Sequence, residues 1–357
     1  MTARRRDALR ARLRGAGLDA LLVTKLVNVR YLTGFTGSAA RLLVGAQDGA
    51  DVLATDGRYL ARAADEAPGL ALVDSRGTEW LGERLTGPRL GVESHVLAWD
   101  AARALDEALP GIEVLPAPDH VETLRQRKDD AELALVARAC AIGDAAFTAL
   151  LGWLAPGMTE RAVVRRLDAE LVDHGADAPA FATIVASGRN GARPHHEPGR
   201  RPLATGDLVT LDFGALVEGY ASDMTRTIAL GRPRPELATL HALVAEAQRA
   251  GVAAVADGVP AGDVDAACRD RIAAGGRAEA FLHPTGHALG LEIHEEPILR
   301  AGATATLTHR MTVTVEPGVY VAGLGGVRIE DTVVVGPASG PTGAEILTRA
   351  PRDLLVL

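Results

Sequence analysis

Apolar and polar positions follow two different rhythms along the 357-residue chain, and the change from one to the other divides it. Between residues 19 and about 118, apolar runs of strand length alternate with helix-like stretches. ALLVT (20–24), RLLVGA, ADVLATD, LALVDS, RLGVES and IEVLPA are the candidate strands, with GRYLARAADEA and WDAARALDEAL as helical segments between them. That mixture predicts a small α/β domain. In the Arg-rich N-terminus, Leu9 and Leu13 sit four apart and predict an amphipathic helix. NVRYLTGFTGSAA and TDGRY are polar and Gly-rich where strands should end. Local chemistry reads them as turns, with a ligand-facing surface as the alternative.

The Pro-rich piece LPAPDHVETLRQRKDD predicts a boundary between domains 1–122 and 123–357, because Pro116 and Pro118 interrupt regular structure and a long helical pattern begins just beyond. That helix is predicted over 129–153, with Leu133, Val136, Cys140, Phe147 and Leu151 at core spacing. A second runs from the candidate N-cap Thr159 to about 174. Strands, a Gly-rich loop, two helices over about 236–257 and 264–274, and a last group of strand-like segments follow. The fold class is therefore α/β with α+β character: a smaller mixed N-terminal domain, then a larger one of strands, helices and strands. Its helix-then-strand halves are compatible with a hidden duplication.

Composition removes several functions. Apolar residues make up 47% of the chain, enough for a substantial core. The net charge of −8, without a dense basic face, argues against a nucleic-acid partner. Without a run of roughly 18 apolar residues no membrane span is expected, and the N-terminus lacks the apolar core of a secretory signal. Cys140 and Cys268 form no CxxC pair and are expected as free thiols, so the cytoplasm is the expected location. No GxGxxG follows a strand at a helix start, which removes a dehydrogenase reading.

The candidate chemistry sits between residues 210 and 330. Asp212 in LVTLDFG, Asp223 in GYASDMTRT, Glu316 in TVTVEPG and Glu330 in GVRIED each interrupt a strand-like stretch, where carboxylates are disfavoured. His287 lies in a Gly-flanked turn. Each has an ordinary reading alone, as a turn, cap or strand terminus. Together they ask for a common explanation, since buried carboxylates without partners are costly. Strand alternation puts Asp223 with Thr225 and Thr227, Glu316 with Thr312 and Thr314, and Glu330 with Arg328 and Thr332, a polar face opposite a core face. Four carboxylates and an imidazole suit two divalent ions, Mn²⁺ first, with Co²⁺, Fe²⁺ or Zn²⁺ as alternatives. Two such ions about 3.5–4 Å apart make hydroxide available near neutral pH and polarise a carbonyl, which suits amide hydrolysis.

In the order Asp, Asp, His, Glu, Glu, the residues from about 128 to 357 resemble the creatinase/methionine aminopeptidase superfamily, the pita-bread metallopeptidases of family M24. With an α/β N-terminal domain, NGARPHHE, TGHxxGLxxHExP and GVRIED, the chain resembles its Xaa-Pro peptidases, aminopeptidase P and prolidase, and TDGRY tilts the resemblance to aminopeptidase P. The resemblance implies that Asp223 and Glu330 bridge two metal ions, that Asp212 completes one site, and that His287 with Glu316 completes the other. Glu316 becomes the proton shuttle beside a bridging hydroxide, and His195, His283 and His294 bind substrate and stabilise the tetrahedral intermediate, with His196 the lesser member of its pair. Arg328 is expected to orient Glu330 by a charge-assisted hydrogen bond. A short proline-containing peptide is the implied substrate, and a homodimer the implied assembly. Xaa-Pro dipeptidase is the alternative activity, a metal-free creatinase-type hydrolase a more distant one, and a non-catalytic peptide-binding module the alternative from another class. One departure is Ala288, where the family has Gly; its methyl is expected to narrow the loop without removing a ligand.

Overall fold

In the computed structural model, which describes residues 1–337 and 343–357, the chain divides into two units, Met1–Arg125 and Gln126–Leu357. Helix α1 (Thr2–Gly15) opens the first. After it come β1 (Ala20–Val23), α2 (Leu26–Thr33), β2 (Arg41–Gly45), β3 (Val52–Thr55), α3 (Leu60–Glu66), β4 (Ala71–Asp74), β5 (Arg89–Val92), α4 (Trp99–Ala108), β6 (Glu113–Pro116) and the short α5 (Glu122–Arg125). All six candidate strands form, in one sheet of order β4-β3-β2-β1-β5-β6. β2 is antiparallel to both neighbours and the other pairings are parallel. β1 is buried along its whole length, which is why it reads as a continuous apolar run rather than an alternation.

The turn expected at NVRYLT is instead helix α2, ended by Gly34 in the left-handed region at φ 89°. Its buried face carries a polar residue, which hides the helical period. Asn28, wholly buried, donates to Glu93 Oε1 and Glu122 Oε1 at 2.7 Å each and accepts from Arg125 at 2.8 Å. Tertiary hydrogen bonding holds it together with the buried Val29, Tyr31 and Leu32.

The second unit begins with α6 (Asp130–Leu151) and α7 (Glu160–Asp173), followed by β7 (Ala178–Pro179), β8 (Ile184–Ser187), β9 (Leu208–Phe213), β10 (Ala215–Val217), β11 (Tyr220–Ala221) and β12 (Met224–Ala229). Then come α8 (Pro235–Ala254), α9 (Ala261–Ala274), β13 (Gly286–Ala288), β14 (Glu295–Leu299), β15 (Thr312–Val315), β16 (Gly318–Val321), β17 (Gly325–Arg328), β18 (Asp331–Val335) and β19 (Ala344–Ile346). Each helix pair backs a sheet through one apolar core. α6 and α7 share theirs with β12-β9-β8, and α8 and α9 with part of β14-β13-β15-β18-β19.

Asp129 caps α6 with a reciprocal Glu132 bond, and Thr159 caps α7. Val136, Cys140 and Phe147 are buried as expected, while Leu133 and Leu151 are only half-buried at the stripe's edge. α6 is long and apolar enough by length and composition to cross a membrane, but its apolar positions are used in the core.

Two stretches that read as single strands are each broken. TVTVEPGVY becomes β15 and β16, and VRIEDTVVV becomes β17 and β18, because β16 and β17 pair as a separate hairpin. Glu316 and Glu330 sit at these breaks. Their amides donate to other segments, Glu316 N to Thr285 O at 2.7 Å and Glu330 N to Thr225 O at 3.1 Å.

The loop that carries His195 hangs from one carboxylate. Glu160, fully buried at the start of α7, accepts from Ser187 N and Oγ (2.9 and 2.7 Å), Asn190 Nδ2 (2.9 Å), Gly199 N (3.1 Å) and pairs with His196 Nε2 at 2.8 Å. Although burial raises its pKa, these bonds outweigh that and hold it at about 2. A depressed carboxylate stabilises the fold above its unfolded pKa and loses that contribution as pH falls through the folded one. Glu160→Gln should therefore cost on the order of 3 kcal/mol at neutral pH, shrinking as pH drops from about 4.5 to about 2. Urea unfolding of both proteins across that range checks it; a difference independent of pH would contradict it.

Candidate active site

All five acidic and imidazole candidates line one cavity of about 320 Å³, together with His195, His283, His294 and Arg328. β9 brings Asp212 and the residue before β12 brings Asp223; in that pair Asp212 lies opposite Thr225. β13 brings His287. The breaks after β15 and before β18 bring Glu316 and Glu330. Gly286 permits the approach of β13 to β15, since a Cβ there would lie 2.0 Å from Thr314 O.

Asp223, His287 and Glu330 are buried, each with a donor atom within 4.8 Å of the others. His287 Nδ1 lies 3.1 Å from Ala288 O, so the proton belongs on Nδ1 and the Nε2 lone pair faces the carboxylates. Nε2 stands 3.4 Å from Glu316 Oε1 and 3.6 Å from Asp223 Oδ2. Asp212 Oδ1 and Glu330 Oε1 are buried and have no hydrogen-bond partner. Orphaned carboxylate oxygens converging on an unprotonated imidazole nitrogen are what divalent cations would satisfy, and the residues present fit such ions.

Electrostatics agree. Burial first, then the charges of Glu330, Asp212 and Glu316, push the Asp223 carboxyl well above its ordinary range. Burial, then Glu316 and Asp212, do the same to Glu330. Glu316 is pushed up to about 8, chiefly by burial, with Asp212 adding to it and Arg328 opposing. Burial and the neighbouring His294, whose ring is 4.4 Å away, lower His287 to about 4. Cations would reverse the three carboxyl shifts and reinforce that of His287, favouring carboxylates and a neutral imidazole, the forms that bind metal.

Arg328 departs from expectation. Its Nη2 donates to Asp212 Oδ2 at 2.6 Å, its Nη1 to Tyr320 OH at 2.8 Å and Pro194 O at 3.3 Å, and its Nε to Thr225 Oγ1 at 3.1 Å. It orients Asp212, not Glu330, because strand alternation does not carry across the break between β17 and β18. Glu330 is held instead by Thr225 Oγ1 at 2.7 Å. His283 is engaged at both nitrogens, Nδ1 with Pro284 O at 2.7 Å and Nε2 with Tyr320 OH at 2.8 Å. His195 and His294 are exposed at the cavity. His196 points away, onto Glu160. Ala288 lies in the apolar core and does not line the cavity, so its methyl does not narrow it.

Sequence reasoning missed Tyr320, which joins Arg328 to His283, and the apolar walls Phe181, Ile184, Ile293 and Ile298. Tyr320 carried no local signal; pairing of β16 with β17 places it.

A cleft floored by carboxylates and one imidazole, in a unit of two helix-backed sheets, belongs to the class of metallohydrolases. Residues 134–337 match Metallopeptidase family M24, and residues 5–127 match the Creatinase/Prolidase N-terminal domain. The chain belongs to metallopeptidase family M24 and has the pita-bread fold with a creatinase-like N-terminal domain. It is 38% identical to the uncharacterized peptidase YqhT of Bacillus subtilis (strain 168), over 96% of each chain. Among solved structures it is similar to a Xaa-Pro dipeptidase from Bacillus anthracis (38% identity, TM-score 0.95, 100% of both chains) and to an X-Pro aminopeptidase from Thermotoga maritima MSB8 (31%, 0.88, 96% of this chain and 98% of that one).

Carboxyls whose pKa is raised on folding lose stability as pH climbs through the folded value. Metal-stripped protein should therefore melt lower as pH rises from about 4.5 toward about 8, and added Mn²⁺ should raise its melting temperature more at pH 8 than at pH 5. Calorimetry after EDTA treatment measures both; an equal metal effect at the two values would contradict the charge-repulsion account.

Proposed function

We propose that this chain is a Xaa-Pro peptidase that hydrolyses the peptide bond before a proline in the second position, acting as a Xaa-Pro aminopeptidase. The observation that carries the reading is the convergence of Asp212, Asp223, His287, Glu316 and Glu330 on one cavity floor. Two divalent ions held by these residues would supply Lewis-acid polarisation of the carbonyl and an acidified water. Mn²⁺ is the metal proposed.

Glu316, on the cavity floor, accepts the proton from the attacking water and returns it to the proline nitrogen as the C–N bond breaks. His195 and His294, whose ring nitrogens have no hydrogen-bond partner among the described residues, donate to the substrate carbonyl as charge develops on its oxygen. Tyr320 fixes His283 on the opposite hydrogen-bonding side. Arg328 holds Asp212 in place at the floor. Phe181, Ile184, Ile293 and Ile298 offer apolar surface to the substrate's side chains and the proline ring.

Aminopeptidase action is favoured over strict dipeptidase action by the state of Arg328. It is the one permanently charged cation among the described residues lining the cavity, and its guanidinium is spent on Asp212, Tyr320, Pro194 and Thr225. No fixed positive charge among the described residues lining the cavity is free to read a dipeptide's terminal carboxylate. The dipeptidase reading is favoured in turn by the name of the Bacillus anthracis structure. A homodimer in a reducing cytoplasm is proposed with this function, in keeping with the two buried free thiols; light scattering measures the former.

The deciding assay strips the protein with EDTA, restores single divalent ions, and compares Xaa-Pro with Xaa-Pro-Yaa peptides. Cleavage of both is expected; cleavage of dipeptides alone would make it a dipeptidase, and of neither would end the peptidase reading. Glu316→Ala should keep the fold and lower turnover by about 10²-fold or more, whereas wild-type rates would remove its shuttle role.

A further inference from the structure

A second cavity, of about 410 Å³, lies wholly in the first unit, and the peptidase reading makes no use of it. Thr24 follows β1, Asp56 and Arg58 follow β3, Arg76 follows β4, and Arg41 opens the antiparallel β2, so the lining gathers at the carboxyl edge of the parallel strands. β1 has β2 on one flank and β5 on the other, and Leu97, beyond β5, closes the far side. Open α/β sheets bind ligands outside the carboxyl ends of their strands, at the point where the order of strands turns back. This crevice occupies that position.

Its chemistry is cationic in a chain whose net charge is −8. Two guanidinium groups, those of Arg58 and Arg76, hold one carboxylate, and a third, that of Arg41, lines the crevice with them. Asp56, only 4% exposed, takes Arg58 Nε at 2.8 Å and Nη2 at 2.7 Å, with Arg76 Nε at 3.3 Å. Arg41 Nη1 donates to the carbonyls of Arg76 at 2.5 Å and Gly77 at 3.3 Å, which braces its plane. Nearby Glu79 is engaged by Ser75 Oγ at 2.6 Å. Arg58 Nη1, Arg76 Nη1 and Nη2, and Arg41 Nε and Nη2 have no protein partner among the described residues. The Arg58 and Arg76 side chains, 61% and 73% exposed, carry these donors to the open mouth.

Planar forks with one edge braced and the other free recognise carboxylate or phosphate in a bidentate manner. Asp56 within the crevice and Glu79 beside Arg41 offset part of the three guanidinium charges, and the unpartnered donors remain for a ligand to meet. We infer that this crevice binds a small oxyanion, a molecule bearing carboxylate or phosphate groups. The site is independent of the peptidase assignment and stands or falls separately from it.

Isothermal titration of the purified full chain with inorganic phosphate and with citrate, at ionic strength held constant with sodium chloride, tests it. At least one probe should bind, and Arg41→Ala and Arg76→Ala should each weaken it about tenfold with the unfolding temperature unchanged. Arg76→Lys, which keeps the charge but loses the fork, should fall between. A preference for phosphate or for citrate assigns the oxyanion. Dilution heats alone from both probes, or affinities in the alanine variants equal to wild type, would overturn the site.

Discussion

Like charges crowded on a dry floor are the constraint around which the catalytic unit is arranged. Asp223 and Glu330 are almost completely buried, Asp212 and Glu316 stand beside them, and the charges of Asp212 and Glu316 raise the cost of ionising Asp223 and Glu330. The unit offsets this with polar contacts that leave particular oxygens free. Arg328 takes one oxygen of Asp212 and Thr225 one of Glu330, while Asp212 Oδ1 and Glu330 Oε1 stay unpartnered. Polar groups left unsatisfied in this way mark where a ligand belongs.

Beneath the floor a second charge is fully paired. Arg226, 1% exposed, bonds Asp331 Oδ1 at 2.8 Å, the carbonyl of Ala350 and the carbonyl of Glu330, and Asp331 also accepts from Thr348 and Gln248. Buried ion pairs of this kind are weak sources of stability but strong sources of position when every lone pair is met. Here the pair fixes the backbone on either side of the β17–β18 break, and with it the direction in which Glu330 points. The same device recurs at Glu160, where one carboxylate gathers the loop that carries His195.

Asp212 and His287 lie within β9 and β13, whereas Asp223, Glu316 and Glu330 sit just outside strands, and this mixture is how five separate segments reach one cavity. A residue inside a strand is committed to a face by the pleat, whereas a residue at a break takes its direction from whatever its amide bonds next. Glu316 and Glu330 bond Thr285 and Thr225 through their amides. The register between sheets, and not the strand's own alternation, therefore sets the aim of these two carboxylates.

Much of this was legible in the residues themselves. The six apolar runs of the first unit formed six strands, and the inner ones, buried along most of their length, needed continuous apolar sequence and little else. The cap Thr159 was readable because it acts within one turn. The joint order of Asp212, Asp223, His287, Glu316 and Glu330 pointed to a shared cavity, since isolated carboxylates in strand-like segments need partners. What escaped was set by contacts between residues far apart in sequence. Helix α2 rests on Asn28 bonding Glu93, Glu122 and Arg125; Arg328 serves Asp212 only because the hairpin ends where it does; Tyr320 meets His283 only through the pairing of β16 with β17. A sequence determines which side chains are expensive to bury and which turns are cheap, for those are properties of near neighbours. Which expensive groups face one another is decided by how the sheets pack, and that depends on contacts no local pattern contains.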